Sequence, residues 1–351
     1  MNKELRKIIF VTIVLAALLC LSILQSLGIG VVEISWRDIL KLFYYSCFGA
    51  ENAADEQLLS SSAWNVIFDL RLPRIIMAVI CGGSLALGGL VMQALIRNPL
   101  ADPYILGVSA GAAMGAAISI VLGAFSFLGI YGVSAGAFVG AVAVAFAVFA
   151  LTASSGGQSS MTRLVLTGMA LNAVCGASTS MLVYLAKDVD GIRDVQFWIM
   201  GSLARANWET IPLCAVIFFS CCLYFLYQFR VLNASLLGDE MAIILGETLE
   251  RKRKIYLVLV SVMVSSVVAS VGIIGFVGLV IPHVARIFFG NNHIWLVPVS
   301  VFSGALYMIW CDVFARTVLT GMELPIGVLT SFIGGPLFLY LMSGRQFRYG
   351  E

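Results

Sequence analysis

Residues 71–111 read RLPRIIMAVICGGSLALGGLVMQALIRNPLADPYILGVSAG. Arg71 and Arg74 bracket Pro73 at the mouth of an apolar run of ~25 residues, long enough to cross a bilayer at about 1.5 Å per residue. Gly82, Gly83, Gly88 and Gly89 line that run. It ends in a turn holding Asn98, Pro99, Asp102 and Pro103, and a second apolar run opens with Gly107, Gly111 and Gly115 at four-residue spacing. A charged rim, a glycine-lined span and a proline-locked turn on the opposite side are parts of a helical membrane subunit.

The rest of the chain agrees. Its 351 residues are 60% hydrophobic and only 11% charged, with a mean hydropathy of +1.00, whereas a soluble domain would carry about a quarter charged residues. The charges cluster between apolar runs, which makes this a polytopic helical membrane protein. A net charge of +2 gives no reason to expect nucleic acid; the basic residues lie in loops and report topology. Lys3, Arg6 and Lys7 precede an apolar run reaching about Val32, longer than the ~7–15 residues of a signal peptide's apolar region. Leu18 and Leu19 before Cys20 do not make a lipoprotein site, so the segment reads as an uncleaved first transmembrane helix. Of the eight cysteines, only Cys47 lies in a long polar segment. No disulfide framework, metal site or cofactor is expected.

Ten apolar segments can be drawn, at roughly 8–32, 70–95, 104–123, 127–152, 162–186, 209–229, 255–275, 277–290, 294–317 and 324–342. The eighth is too short to cross, so it is a half-span or packs on partners, and nine crossings stay possible. With the N-terminus inside, thirteen of the 21 Lys and Arg fall on the inner side. This bias favours cytoplasmic N- and C-termini, with 33–69 outside. Residues 1–351 form a single transmembrane domain, because no polar stretch is large enough for a second fold. There is no G-x-x-x-x-G-K-[ST] phosphate loop, so any P-loop ATPase would be another polypeptide.

Four blocks carry a family resemblance: 71–111, LNASLLGDEMAIILG at 232–246, GFVGLVIPHVAR at 275–286, and ELPIGVLTSFIGGPLFLYLM at 323–342. In this order they resemble the FecCD-type permeases, the membrane subunits of ABC importers for iron–siderophore complexes, haem and vitamin B12. The likeness runs from residue 1 to about 345. It implies an all-α permease of the vitamin B12 importer-like (type II ABC importer) fold, with about ten transmembrane helices, in the cytoplasmic (inner) membrane. It further implies ATP-binding cassette ATPase subunits, an extracytoplasmic substrate-binding protein, and a second permease chain in a homo- or heterodimer. The chain itself would be a transport subunit without covalent chemistry, bathed in membrane lipid. The expected cargo is an iron chelate, a ferric siderophore first, with haem and cobalamin open. An ion-coupled secondary transporter is the rival, but such proteins place charges deep in spans and most spans here lack them.

The resemblance also assigns roles. Arg71, Arg74 and Arg316 match arginines that meet acidic side chains of the binding protein; the residues alone read as interfacial anchors, with Asp312 and Arg316 a neutralised pair four apart. Leu237, Gly238, Asp239, Glu240, Ala242, Leu245 and Gly246 match the coupling helix that enters a groove on the ATPase. Read from the residues, they are a short helix with acids at its N-terminus and Gly246 as C-cap. Asn98 and Leu100, with Ser160, Met161 and Thr162, match loops that close the inner end of the pathway. Gly107, Gly111 and Gly115 read either as pathway lining or as helix packing. Gly275, Gly278 and Pro282 suggest a broken helix, and His283 with no carboxylate or thiol beside it makes a weak metal ligand.

Overall fold

The computed structural model describes residues 3–30, 34–49, 62–153, 161–186, 188–244, 249–319 and 321–343. The helices are α1 (Lys3–Gly28), α2 (Trp36–Phe48), α3 (Ser62–Ile96), α4 (Val108–Leu122), α5 (Gly132–Ala153), α6 (Met161–Leu185), α7 (Val189–Met200), α8 (Ile211–Tyr227), α9 (Phe229–Leu237), α10 (Asp239–Ile244), α11 (Leu249–Val271), α12 (Val277–Phe289), α13 (His293–Thr317) and α14 (Ile326–Ser343). Ten are apolar and coincide with the ten segments. Six are long enough to cross a membrane, α8 continues into α9 through a 62° bend, and α4, α12 and α14 are shorter. Two helices arise where only polar connections were drawn, α2 and α7. Each starts on a side-chain cap, Ser35 accepting from the Asp38 N–H and Asp188 from the Asp190 N–H, which is the local signal that marks them.

At the centre stands α3, whose apolar stretch is nearly all buried. Its glycines set how closely its neighbours lie. A Cβ on Gly82 would run into the carbonyl of Gly304 on α13, and one on Gly89 into that of Gly278 on α12. Small residues at such crossings let backbones touch, which is how helices associate where lipid removes the hydrophobic drive. The stripe Gly107, Gly111 and Gly115 serves the same end, the helix-packing one of its two readings. Gly111 faces the carbonyl of Gly140, Gly115 that of Gly136, and Gly107 the side chain of Val144, all on α5. These glycines are buried in a seam whose far side, on α5, carries Gly136 and Gly140.

The broken helix is real and lies ahead of Gly278. Helix α11 stops at Val271, and Gly272 and Phe276 take left-handed backbone at φ 78° and 67°. Helix α12 then runs for 13 residues, about 20 Å, too little to cross. Irregular backbone at membrane depth persists only when protein satisfies it. Here Tyr104 Oη donates to the Ile274 carbonyl at 3.0 Å and sits 3.3 Å from the Ile274 N–H, while Gln93 Nε2 donates to Leu279 O at 3.2 Å. Tyr104 comes from the one-turn helix Pro103–Leu106, so the 98–107 turn dips into the bundle and braces the break.

Candidate functional site

Two polar clusters stand at opposite ends of the α3–α13 pair. At one end Asp312 is 1% exposed and holds two arginines. Arg74 Nε pairs with its Oδ1 at 2.5 Å and Arg316 Nε with its Oδ2 at 3.0 Å. Arg74 also makes a fork to Glu323, at 2.9 and 3.0 Å, from the connection leading to α14. Arg316 donates to Ile29 O and Ser26 Oγ, and Arg71 to Leu27 O, so both close on the end of α1. The cluster thus gathers Arg71, Arg74 and Arg316 as the sequence expects. It also gives each an internal partner, and all three are buried at 6–8% exposure. The i,i+4 pair of Asp312 and Arg316 was legible; Arg74 as the second partner and Glu323 as its outer acid were not.

At the other end, α9 and α10 form a bent segment on the surface. Gly238, at φ 99°, breaks the two helices apart. Asp239 and Glu240 begin α10, where partial positive charge favours acids. Arg253 of α11 clasps both carboxylate oxygens of Asp239. That pairing holds the Asp239 carboxyl below its ordinary range, the hydrogen bonds outweighing partial burial and the charges of Arg253 and Arg97 adding to them. Ala242 is fully buried within the chain, whereas Leu237, Met241, Ile243 and Ile244 are exposed. Ala242 thus packs inward, and the apolar patch offered outward includes Ile243 and Ile244. Leu245 and Gly246 lie outside the described residues, as does Ser160 of the expected gate. Asn98 and Thr162 are exposed and Leu100 and Met161 half-buried, with Asn98 Oδ1 accepting from the Leu100 N–H at 2.9 Å. The described residues hold no grouping of three or more His, Cys, Asp or Glu suited to a metal ion.

A ten-helix apolar bundle, with a braced half-span and an exposed apolar patch on a short acid-capped helix, defines a polytopic membrane protein of the permease type. The FecCD transport family matches residues 17–344, and the chain belongs to that family: it is an ABC importer permease. It is 40% identical over 286 residues to the hemin transport system permease protein HmuU of Yersinia pestis, covering 81% of this chain and 84% of that one. It is 34% identical over 348 residues to the iron(3+)-hydroxamate import system permease protein FhuG of Bacillus subtilis, covering 97% and 99%. Among solved structures it superimposes with a TM-score of 0.79 and 33% identity on a metal-chelate type ABC transporter in an inward-facing conformation, covering 95% and 98%.

Proposed function

We propose that this permease carries an iron chelate inward, powered by separate ATPase subunits and fed by an extracytoplasmic binding protein. The exposed patch of Leu237, Met241, Ile243 and Ile244 beside Asp239 and Glu240 supports the ATPase contact, because apolar side chains on a polar, non-spanning segment favour burial against a partner. In this reading the α10 end faces the cytoplasm and the arginine cluster faces outward. The thirteen inner Lys and Arg include Arg97, Arg230 and Arg251–Lys254 around that segment, as the positive-inside rule expects. The iron-chelate reading rests on the two relatives, one named for hemin and one for iron(3+)-hydroxamate. The expected cargo is a ferric siderophore, with haem the second choice.

In the same proposal, Arg71, Arg74 and Arg316 receive acidic side chains of the binding protein, and a second permease chain completes the path. Asn98, Leu100, Ser160, Met161 and Thr162 stand at its inner end. ATP binding moves the α9–α10 segment and switches which end of the path is open. The complex with its ATPase and binding protein should hydrolyse ATP faster when loaded with ferric hydroxamate or hemin. Stimulation by cobalamin alone would overturn the iron-chelate reading.

A further inference from the structure

Helix α9 is joined to the start of α13 by a closed set of hydrogen bonds that the motifs of the chain leave unexplained. Asn233 Oδ1 accepts from the backbone N–H of His293 at 2.8 Å and lies 2.8 Å from its Nδ1. Asn233 Nδ2 donates to Asn292 Oδ1 at 2.9 Å, and that oxygen also accepts from the Ile294 N–H at 3.2 Å, capping α13. Backbone donors at both ends fix the orientation of both amides, since an N–H must meet an oxygen. Nδ1 of His293 therefore carries its proton toward Asn233, and Nε2 has no hydrogen-bond partner among the described residues in a fully buried ring. Asn233 is half-buried and Asn292 exposed, so the part of the clasp that opening would strand is the buried His293 side, whose ring Nδ1 and backbone N–H both meet Asn233 Oδ1.

The clasp has a mechanical consequence. Helix α9 precedes α10 directly, and α13, 25 residues long, carries the clasp at its start and Asp312 and Arg316 near its end. Along its length α13 is locked to α3 at the Gly82–Gly304 crossing, and α3 carries Arg74 to the same far cluster. Arg253 meanwhile ties α10 to α11. Among the described residues the surface segment is thus held at three places: Asn233 on the start of α13, Ser235 Oγ on the Ala94 carbonyl of α3 at 3.4 Å, and Asp239 on Arg253 of α11; the clasp through Asn233 is the one that reaches α13 directly.

We propose that Asn233 is a positioning residue that delivers movement of the coupling segment to α13, and through it to the Arg74–Asp312–Arg316 cluster. This rests on the coupling reading of α10 given above. The two separate experimentally, because the coupling reading concerns what ATP does at α10 and this proposal concerns whether α13 follows.

The test is hydrogen exchange on the reconstituted complex with its ATPase, nucleotide-free against trapped with ATP and vanadate, comparing wild type with Asn233→Ala. In wild type, trapping changes exchange in peptides over 239–249 and over 314–325. In Asn233→Ala the change at 239–249 persists, while that at 314–325 falls about threefold or more, the scale of modest coupling between sites. A purely structural role would instead loosen both regions alike in either nucleotide state. Equal responses at 314–325 in variant and wild type overturn the proposal, as does a wild type that responds only at 239–249. No response at 239–249 in wild type sinks the coupling reading, and this proposal with it. Should Asn233→Ala fail to assemble, Asn233→Asp takes its place, and a response at 314–325 undiminished from wild type overturns the proposal. It keeps the acceptor for His293 and loses the donor to Asn292, so its response at 314–325 falls below that of wild type while the change at 239–249 persists.

Discussion

Asp312 shows how much a single side chain can be asked to hold. Two guanidinium groups, at 7–8% exposure, share its carboxylate. Removing one partner of a buried charge pair strands the rest, at a cost of about 3–5 kcal/mol. Asp312→Asn should therefore lower the thermal unfolding midpoint of the purified protein sharply. Glu323→Gln, whose parent side chain is 47% exposed, should cost under about 1 kcal/mol. Equal losses in the two variants would show that burial does not rank these carboxylates. Asp239 offers a pH test of the other cluster. Its folded value lies below its unfolded one because Arg253 binds the charged form. Its contribution to stability is thus present above the ordinary carboxylate value and lost as pH falls through the depressed one. Arg253→Gln should move the Asp239 titration upward, as read by carboxyl-carbon NMR; an unmoved titration would remove Arg253 as the cause.

Among the elements, those declared by composition were readable in the chain. Ten apolar runs and the half-span length of 277–290 needed only counting. The Gly107–Gly115 stripe was visible too, but two readings fit it, because spacing says that a face is small without saying what meets it. What meets that face in the structure is Gly136 and Gly140, on the next helix. Gly115→Leu should overfill that seam and destabilise the protein by about 1–3 kcal/mol or more, measured as a lowered unfolding midpoint; an unchanged midpoint would mean the helices do not touch there. Helix α10 is the harder case. Gly238 and the acids after it marked its start, but six residues are too few for a periodic pattern to choose the outward face. The structure turns Ala242 in and Ile243 and Ile244 out. Ile243→Asp or Ile244→Asp should weaken ATPase binding while leaving the permease folded, whereas Ala242→Asp should lower the stability of the permease itself. A pull-down with the ATPase, paired with a thermal scan, separates these outcomes, and the reverse pattern would turn the helix over.

At the scale of the whole molecule, the two clusters lie at opposite ends of one close-packed helix pair. Long-range partners such as Arg74 and Asp312, 238 residues apart, follow from that packing and leave no local trace in the chain. The arginine end has a consequence for docking. Because Asp312 and Glu323 already occupy Arg74, a binding protein that uses this arginine must compete with them, and charge reversal at Arg74 disturbs the fold as well as the contact. Glu323→Gln is the cleaner probe: it frees part of the Arg74 fork and should tighten binding-protein association at low salt, measured as a lower Kd. Unchanged affinity would place docking elsewhere. On the proposed function, this permease imports an iron chelate only with ATPase and binding protein present. This is tested most directly in proteoliposomes with radiolabelled iron hydroxamate, ionophores having collapsed all ion gradients. Uptake should require ATP, the ATPase and the binding protein together, and should vanish when any one is withheld. Uptake by the permease alone along an imposed ion gradient would contradict the account.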